Sequence, residues 1–263
     1  MRLRLTVILC AAGALACGGG QTPADSGAPD RPGNPGGGAG GDDTQGGDDT
    51  AAADDTSGEG WGSACPRFSG MTEGARWQWR YTDAYAAEVG QDARWSNEVT
   101  RVDGNTAVLA YEGEIFADSF EDYTYSGETR YRCDDGLWAL RSETRTEYRI
   151  NGTDYWSEAA NDYGSGWLVL PANPAPGETW SVDVEGTSTV ETSQSDKSSQ
   201  SFSWSWDYRI EDGGTVDTPA GTFDATLMIS STNENGTSSW YADKHAGTVV
   251  QAGDYAELVS WSE

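Results

Sequence analysis

The 263-residue chain is poor in the residues that most catalysis and most nucleic-acid contacts require. It has a single histidine, His245, so any histidine-based triad would have to run through that residue. His245 lies two places before Gly247 in a hairpin signal and reads as an exposed turn residue. Basic residues are scarce: 16 Lys and Arg stand against 43 Asp and Glu, a net charge of −27. Phosphate contacts need a basic surface, which argues against nucleic acid and against electrostatic docking to anionic headgroups. Beyond the leader, no run is long and apolar enough to cross a bilayer as a helix. No helical periodicity is legible, so no Gly-rich phosphate loop precedes a helix. Two of the four cysteines fall in the leader, and the remaining two with one distant histidine make no zinc set. The many carboxylates fall in turns or in solvent-facing register, and no pair stands out as a glycosidase couple. The expectation is a non-enzymatic protein with no metal and no cofactor.

What is present begins with "MRLRLTVILCAAGALAC". Arg2 and Arg4, then a short apolar run and small residues, form a signal peptide over 1–16. "ALAC" before a Gly-rich stretch resembles the lipobox of bacterial lipoproteins, although Ala14 stands where Leu is preferred and Leu15 falls one place late. That resemblance implies lipidation of Cys17, which would become the mature N-terminus. Gly18 in place of aspartate implies an outer-membrane lipoprotein facing the periplasm or the surface, with the lipid as its membrane contact.

Residues 17–60 read as a lipidated cysteine followed by a disordered linker. "GGDDT" occurs twice and "ADDT" echoes it, with almost no large apolar side chain to bury. Glycine and like charge make an extended spacer; paired aspartates in flexible glycine lack the fixed turn of a calcium loop. Once Cys10 and Cys17 are assigned to the leader, Cys65 and Cys133 remain. An even pair in an exported chain points to a disulfide, worth roughly 4 kcal/mol for so long a loop on the chain-entropy argument.

From Trp61 onward, across 61–263, the pattern has period two. In "SFSWSWDYRI", Phe202, Trp204, Trp206, Tyr208 and Ile210 share one face, while serines, Asp207 and Arg209 share the other. Trp77, Trp79 and Tyr81 alternate likewise, as do Tyr123 and Tyr125. Turn signals recur at "VDGN", "CDDG", "INGT", "EDGG" and "NENG". The expectation is an all-β domain of about twelve strands, a curved antiparallel sheet or open β-barrel. "EGARW" and "PGETW" recur 103 residues apart, predicting two similar halves over about 66–160 and 165–263. In "DTPAGTF", Pro219, Ala220 and Gly221 predict a sharp strand-to-strand corner.

Three motifs lie in the second half: Pro176–Gly177 with Trp180; the Pro219–Gly221 corner with Phe223 and Ala225; and Trp240, Tyr241, Ala242 with Gly247 before Glu257 and Leu258. Together they resemble a family of uncharacterised exported bacterial proteins with a domain of unknown function. The resemblance implies a curved sheet of the kind used by periplasmic lipoprotein carriers, without one activity. The aromatic face of Trp77, Trp79, Tyr81, Phe202, Trp204, Trp206 and Tyr208 has three readings. It is packed core, an apolar groove for lipid or lipidated cargo, or a row that stacks on glycans. The expected function is a non-enzymatic binding or structural module of the envelope, with a carrier or a carbohydrate-binding, glycosidase-like domain as alternatives.

Overall fold

The computed structural model describes residues 71–117, 121–172, 174–233, 236–243 and 249–262. The leader, Cys17, the linker, Cys65, Lys244 and His245 lie outside the described residues. Twelve strands follow in chain order: β1 (Arg76–Tyr81), β2 (Gln91–Asp103), β3 (Thr106–Ala117), β4 (Asp122–Cys133), β5 (Gly136–Ile150) and β6 (Thr153–Pro171). Then come β7 (Thr179–Thr192), β8 (Ser195–Thr218), β9 (Gly221–Asn233), β10 (Gly236–Asp243), β11 (Val249–Ala252) and β12 (Ala256–Ser262). Each pairs antiparallel with its neighbours in sequence, and β1 pairs with β12, so the sheet closes into a barrel. Closure removes the exposed first and last strands that an open form would leave.

The alternation read from the sequence decides which face turns inward. β1 runs exposed–buried along its length, with Trp77, Trp79 and Tyr81 inside. Inward side chains from all twelve strands form one aromatic-rich core. Two glycines let rings lie flat against the sheet. The Tyr111 ring covers Gly127, and its hydroxyl donates to the Glu143 carbonyl at 2.8 Å. Phe202 covers Gly186 across the β7–β8 pair in the same way.

The turns follow their residues. Asn151 and Gly152, both with positive φ (51° and 73°), join β5 to β6 in the two-residue turn that matches strand twist. Pro219 and Ala220 turn β8 into β9, and the Ala220 amide donates to the Leu258 carbonyl of β12 at 3.2 Å. The corner in "DTPAGTF" is therefore architectural. "EDGG" is a correction: it makes no turn but a bulge within β8, where register shifts on both sides of Gly214 at φ 65°. Glycine there lets the strand bend without ending.

A second correction is the short helix α1 (Asp83–Val89) between β1 and β2. Thr82 caps it, its hydroxyl accepting from the Tyr85 amide, and Gly90 ends it in the left-handed region at φ 70°. Thr82 also ties α1 to the β11–β12 turn through the carbonyls of Asp254 and Tyr255.

The halves share a local geometry. Gly74 and Gly177 both sit at φ 92°. Gly74 donates to the Val99 carbonyl, Val99 returns a bond to Ala75, and Ala75 donates to Thr72. Gly177 and Ile210, Ile210 and Glu178, and Glu178 and Ala175 repeat those three bonds.

Candidate functional site

Two broad concavities lie on the solvent face, mainly of the first half. One groove of about 740 Å³ crosses β1–β8 and is lined by Arg76, Glu98, Glu128, Arg141, Glu158 and Lys197, among others. A second, of about 840 Å³, carries Arg80, Asp92, Arg94, Glu114 and Glu147. Ser96, Glu112, Ser126 and Arg145 line both, so the two form one continuous ionic surface.

Strand register builds this surface. On β5, Arg141, Glu143, Arg145, Glu147 and Arg149 occupy alternate positions and project from one face. Register sets Arg145 opposite Glu158 on β6 and opposite Ser126 on β4. The Arg145 guanidinium contacts Glu158, pairs with Glu147 at 2.6 Å and lies over the Trp156 ring at 5.5 Å. Hydrogen bonds to Glu147 and Glu158 push its pKa further up. Arg149 behaves likewise through Asp154 at 2.6 Å, and the same bond holds the Asp154 carboxyl below its ordinary value. Arg76 reaches Glu98 at 3.5 Å and Glu112 at 3.7 Å. Arg80 donates to Glu257 at 2.7 Å. Apart from Glu257, which is mostly buried, these side chains are about half exposed or more, so each such pair adds little to stability while fixing where charge is displayed.

The aromatics singled out in the sequence fall in two places, five strands apart around the ring. Trp77, Trp79 and Tyr81 are buried on β1, with Trp79 stacked on Trp95 at 6.1 Å. On β8, Trp206 and Tyr208 are buried, whereas Phe202 and Trp204 are half-buried. The structure gathers the β8 set with residues from other strands. Trp180 stacks on Tyr208 at 4.7 Å, Trp167 stacks on Trp206, and the Trp167 indole donates to the Tyr208 hydroxyl at 2.8 Å. Burial pushes the Tyr208 phenol up. Inside the barrel, the indole nitrogens of Trp79, Trp95, Trp180, Trp204, Trp206 and Trp240 find no acceptor among the described residues. Large exposed hydrophobics among the described residues are Val89, Phe116 and Trp261.

Cys133 ends β4 and is 2% exposed. Its expected partner lies outside the described residues, so their pairing stays a proposal. No cluster of three metal-capable side chains occurs among the described residues.

The ionic surface is absent from the sequence-based expectations. Its signal is "RSETRTEYR", arginine and glutamate alternating with period two, which by itself does not differ from ordinary charge in solvent-facing register. No protein-family model, curated protein or solved structure matches the chain.

Proposed function

We propose that the chain is a non-enzymatic, lipid-anchored binding module of the cell envelope, whose ionic groove, reaching from β1 to the start of β8, engages a polar, charged partner. The observation that carries this reading is the groove itself: arginines and carboxylates fixed at strand spacing along a concave surface. Such fixed arrays of both signs select partners by charge pattern more than by area. The barrel interior, by contrast, is packed with rings. Its solvent face carries charge where a membrane-spanning barrel presents an apolar band, which supports a barrel held in water at the end of a tether. Cys17 then bears the acyl chain, residues 17–60 supply reach, and a Cys65–Cys133 disulfide ties the domain's entry to β4. Each displaced ionisation described moves away from neutral pH, which supports recognition over acid–base chemistry.

Native mass spectrometry of the protein purified from its own envelope tests the reading. A polar partner should accompany the wild type and be lost from the Arg76→Glu, Arg145→Glu double variant. A non-covalently held acyl lipid retained by both proteins would instead establish the carrier alternative. Peptide mapping without reductant should link Cys65 to Cys133, and the mature N-terminus should be an acylated Cys17. Two free thiols, or an unmodified cut elsewhere, would remove those parts of the proposal.

A further inference from the structure

Ring closure does not give every strand two partners along its whole length. β8 is 24 residues long and pairs with β7 from Ser195 to Arg209. It pairs with β9 only from Asp207 onward. Among the described residues, the first half of β8, Ser195–Trp206, therefore has a neighbour on one side only. Its outer edge presents a row of backbone N–H and C=O groups to solvent, because Ser195–Ser201, Ser203 and Ser205 are exposed.

Natural sheets guard such edges with charge, proline or a bulge, since an open edge is a template for another strand. Here Asp196 and Lys197 guard only the tip. From Ser198 to Trp206 the sequence "SSQSFSWSW" contains no charge, no proline and no glycine. Its pairing with β7 is free of register shifts across that stretch. An unguarded edge of this length with regular register is open to strand addition.

Its two faces define what fits. On the inner face Phe202 and Trp204 are half-buried, leaving ring surface for an apolar side chain beside them. On the outer face the edge serines lie beside Asp183 and Asp207, which accept hydrogen bonds from Ser205 and Ser181. The chain's net charge of −27 repels a second copy and attracts a basic segment. We propose that the outer edge of β8 binds an extended segment of another protein in which apolar and basic residues alternate. Backbone hydrogen bonds supply the affinity, and the alternation supplies the selection. This goes beyond the ionic groove, whose rim touches β8 through Lys197, and it uses the strand's backbone edge in place of side-chain charge.

The test uses the full-length protein and two synthetic heptapeptides of identical composition, one alternating Lys and Val, the other with four Lys followed by three Val. At physiological salt the alternating peptide should bind at least about tenfold tighter and slow amide exchange within Ser199–Ser205. Gln200→Pro and Ser201→Pro remove amides that point to opposite edges of the strand. One of them should abolish that preference with the barrel's circular dichroism intact. Ser203→Lys, which leaves the backbone alone, should weaken the alternating peptide severalfold, and Ser203→Glu should tighten it. Equal binding of the two isomers overturns the proposal, as does edge-amide exchange that the peptide leaves unchanged. So does a homodimer that already protects those amides without peptide.

Discussion

The walls built by β1–β6 and by β7–β12 start from the same turn and carry different surfaces. Gly74 and Gly177 open each half at the same φ and with the same three hydrogen bonds. Rings face inward in both: Trp79 on Trp95 in the first, Trp180 on Tyr208 in the second. Outside, the halves diverge. Nine arginines fall between residues 76 and 149, but only Lys197, Arg209 and Lys244 are basic after residue 150. The first wall is a lattice of ion pairs; the second is joined by hydroxyls, as in Thr189–Ser199 at 2.8 Å and Thr232–Thr237 at 2.9 Å. The second also carries the long one-sided stretch of β8. The lesson is that the inward register and the turn glycines set the architecture, whereas the outward register is free to specialise. Paired charge marks one half and an open strand edge the other.

If the interior is common to both halves, deleting it should cost the same in each. Trp95→Ala and Trp206→Ala should each lose about 4 kcal/mol in denaturant titration. A difference of more than about 2 kcal/mol between them would show that one half carries the core.

The covered glycines come next. A Cβ at Gly127 would meet the Glu143 carbonyl at 2.0 Å, and one at Gly186 the Asp162 carbonyl at 2.1 Å. In both cases the obstacle is backbone, so Gly127→Ala and Gly186→Ala should each cost about 3 kcal/mol. Unchanged unfolding midpoints would mean that the rings and strands give way more readily than this packing implies.

Alkaline pH supplies the third contrast. Burial, helped by neighbouring Tyr148, pushes the Tyr123 phenol from 10.0 up to about 12. The folded protein therefore holds that proton after the unfolded chain has released it. Stability from this source is complete below pH 10, falls as pH rises from there, and is gone beyond about 12. Tyr123→Phe should recover up to about 2 kcal/mol at the alkaline end, read as a raised pH of unfolding. Tyr208, whose phenol is pushed up in the second half, should behave in the same sense, but Tyr208→Phe also removes the acceptor of the Trp167 indole. It should cost about 1 kcal/mol at neutral pH. A variant pair with identical neutral-pH stability would contradict that hydrogen bond.

The smallest effects lie on the walls. Arg145→Ala should cost less than about 1 kcal/mol, and high salt should shrink the loss further. Ser199→Ala, on the hydroxyl wall, should cost a few tenths of a kcal/mol with no dependence on salt. Salt dependence in the serine variant would erase the distinction between the walls.

Most of the fold was legible because alternation reports a half-buried strand directly. "SFSWSWDYRI" gave the inward set Phe202, Trp204, Trp206, Tyr208 and Ile210, and "INGT" and "DTPAG" gave their turns. α1 was missed because seven residues make too little periodicity to compete with flanking strands, although Thr82 and Gly90 were readable as caps. "EDGG" was misread because the same glycines serve a turn or a bulge, and only the partner strand decides between them. The candidate site was half legible. The charge alternation of Arg141 to Arg149 stands in the sequence, but its apposition to Glu158 and Ser126 depends on register between strands.

By itself the sequence determined what each residue contributes locally: which side of a strand it takes, where the chain reverses, and the sign of the charge it carries. Tertiary structure decided what those strands meet. That β12 returns to β1, that Glu158 arrives beside Arg145, and that β9 leaves half of β8 without a second partner are consequences of strand order and stagger. The physical reason is range. Side-chain alternation and turn preference act within a few residues, whereas closure and stagger depend on contacts between strands as far apart as residues 76 and 262.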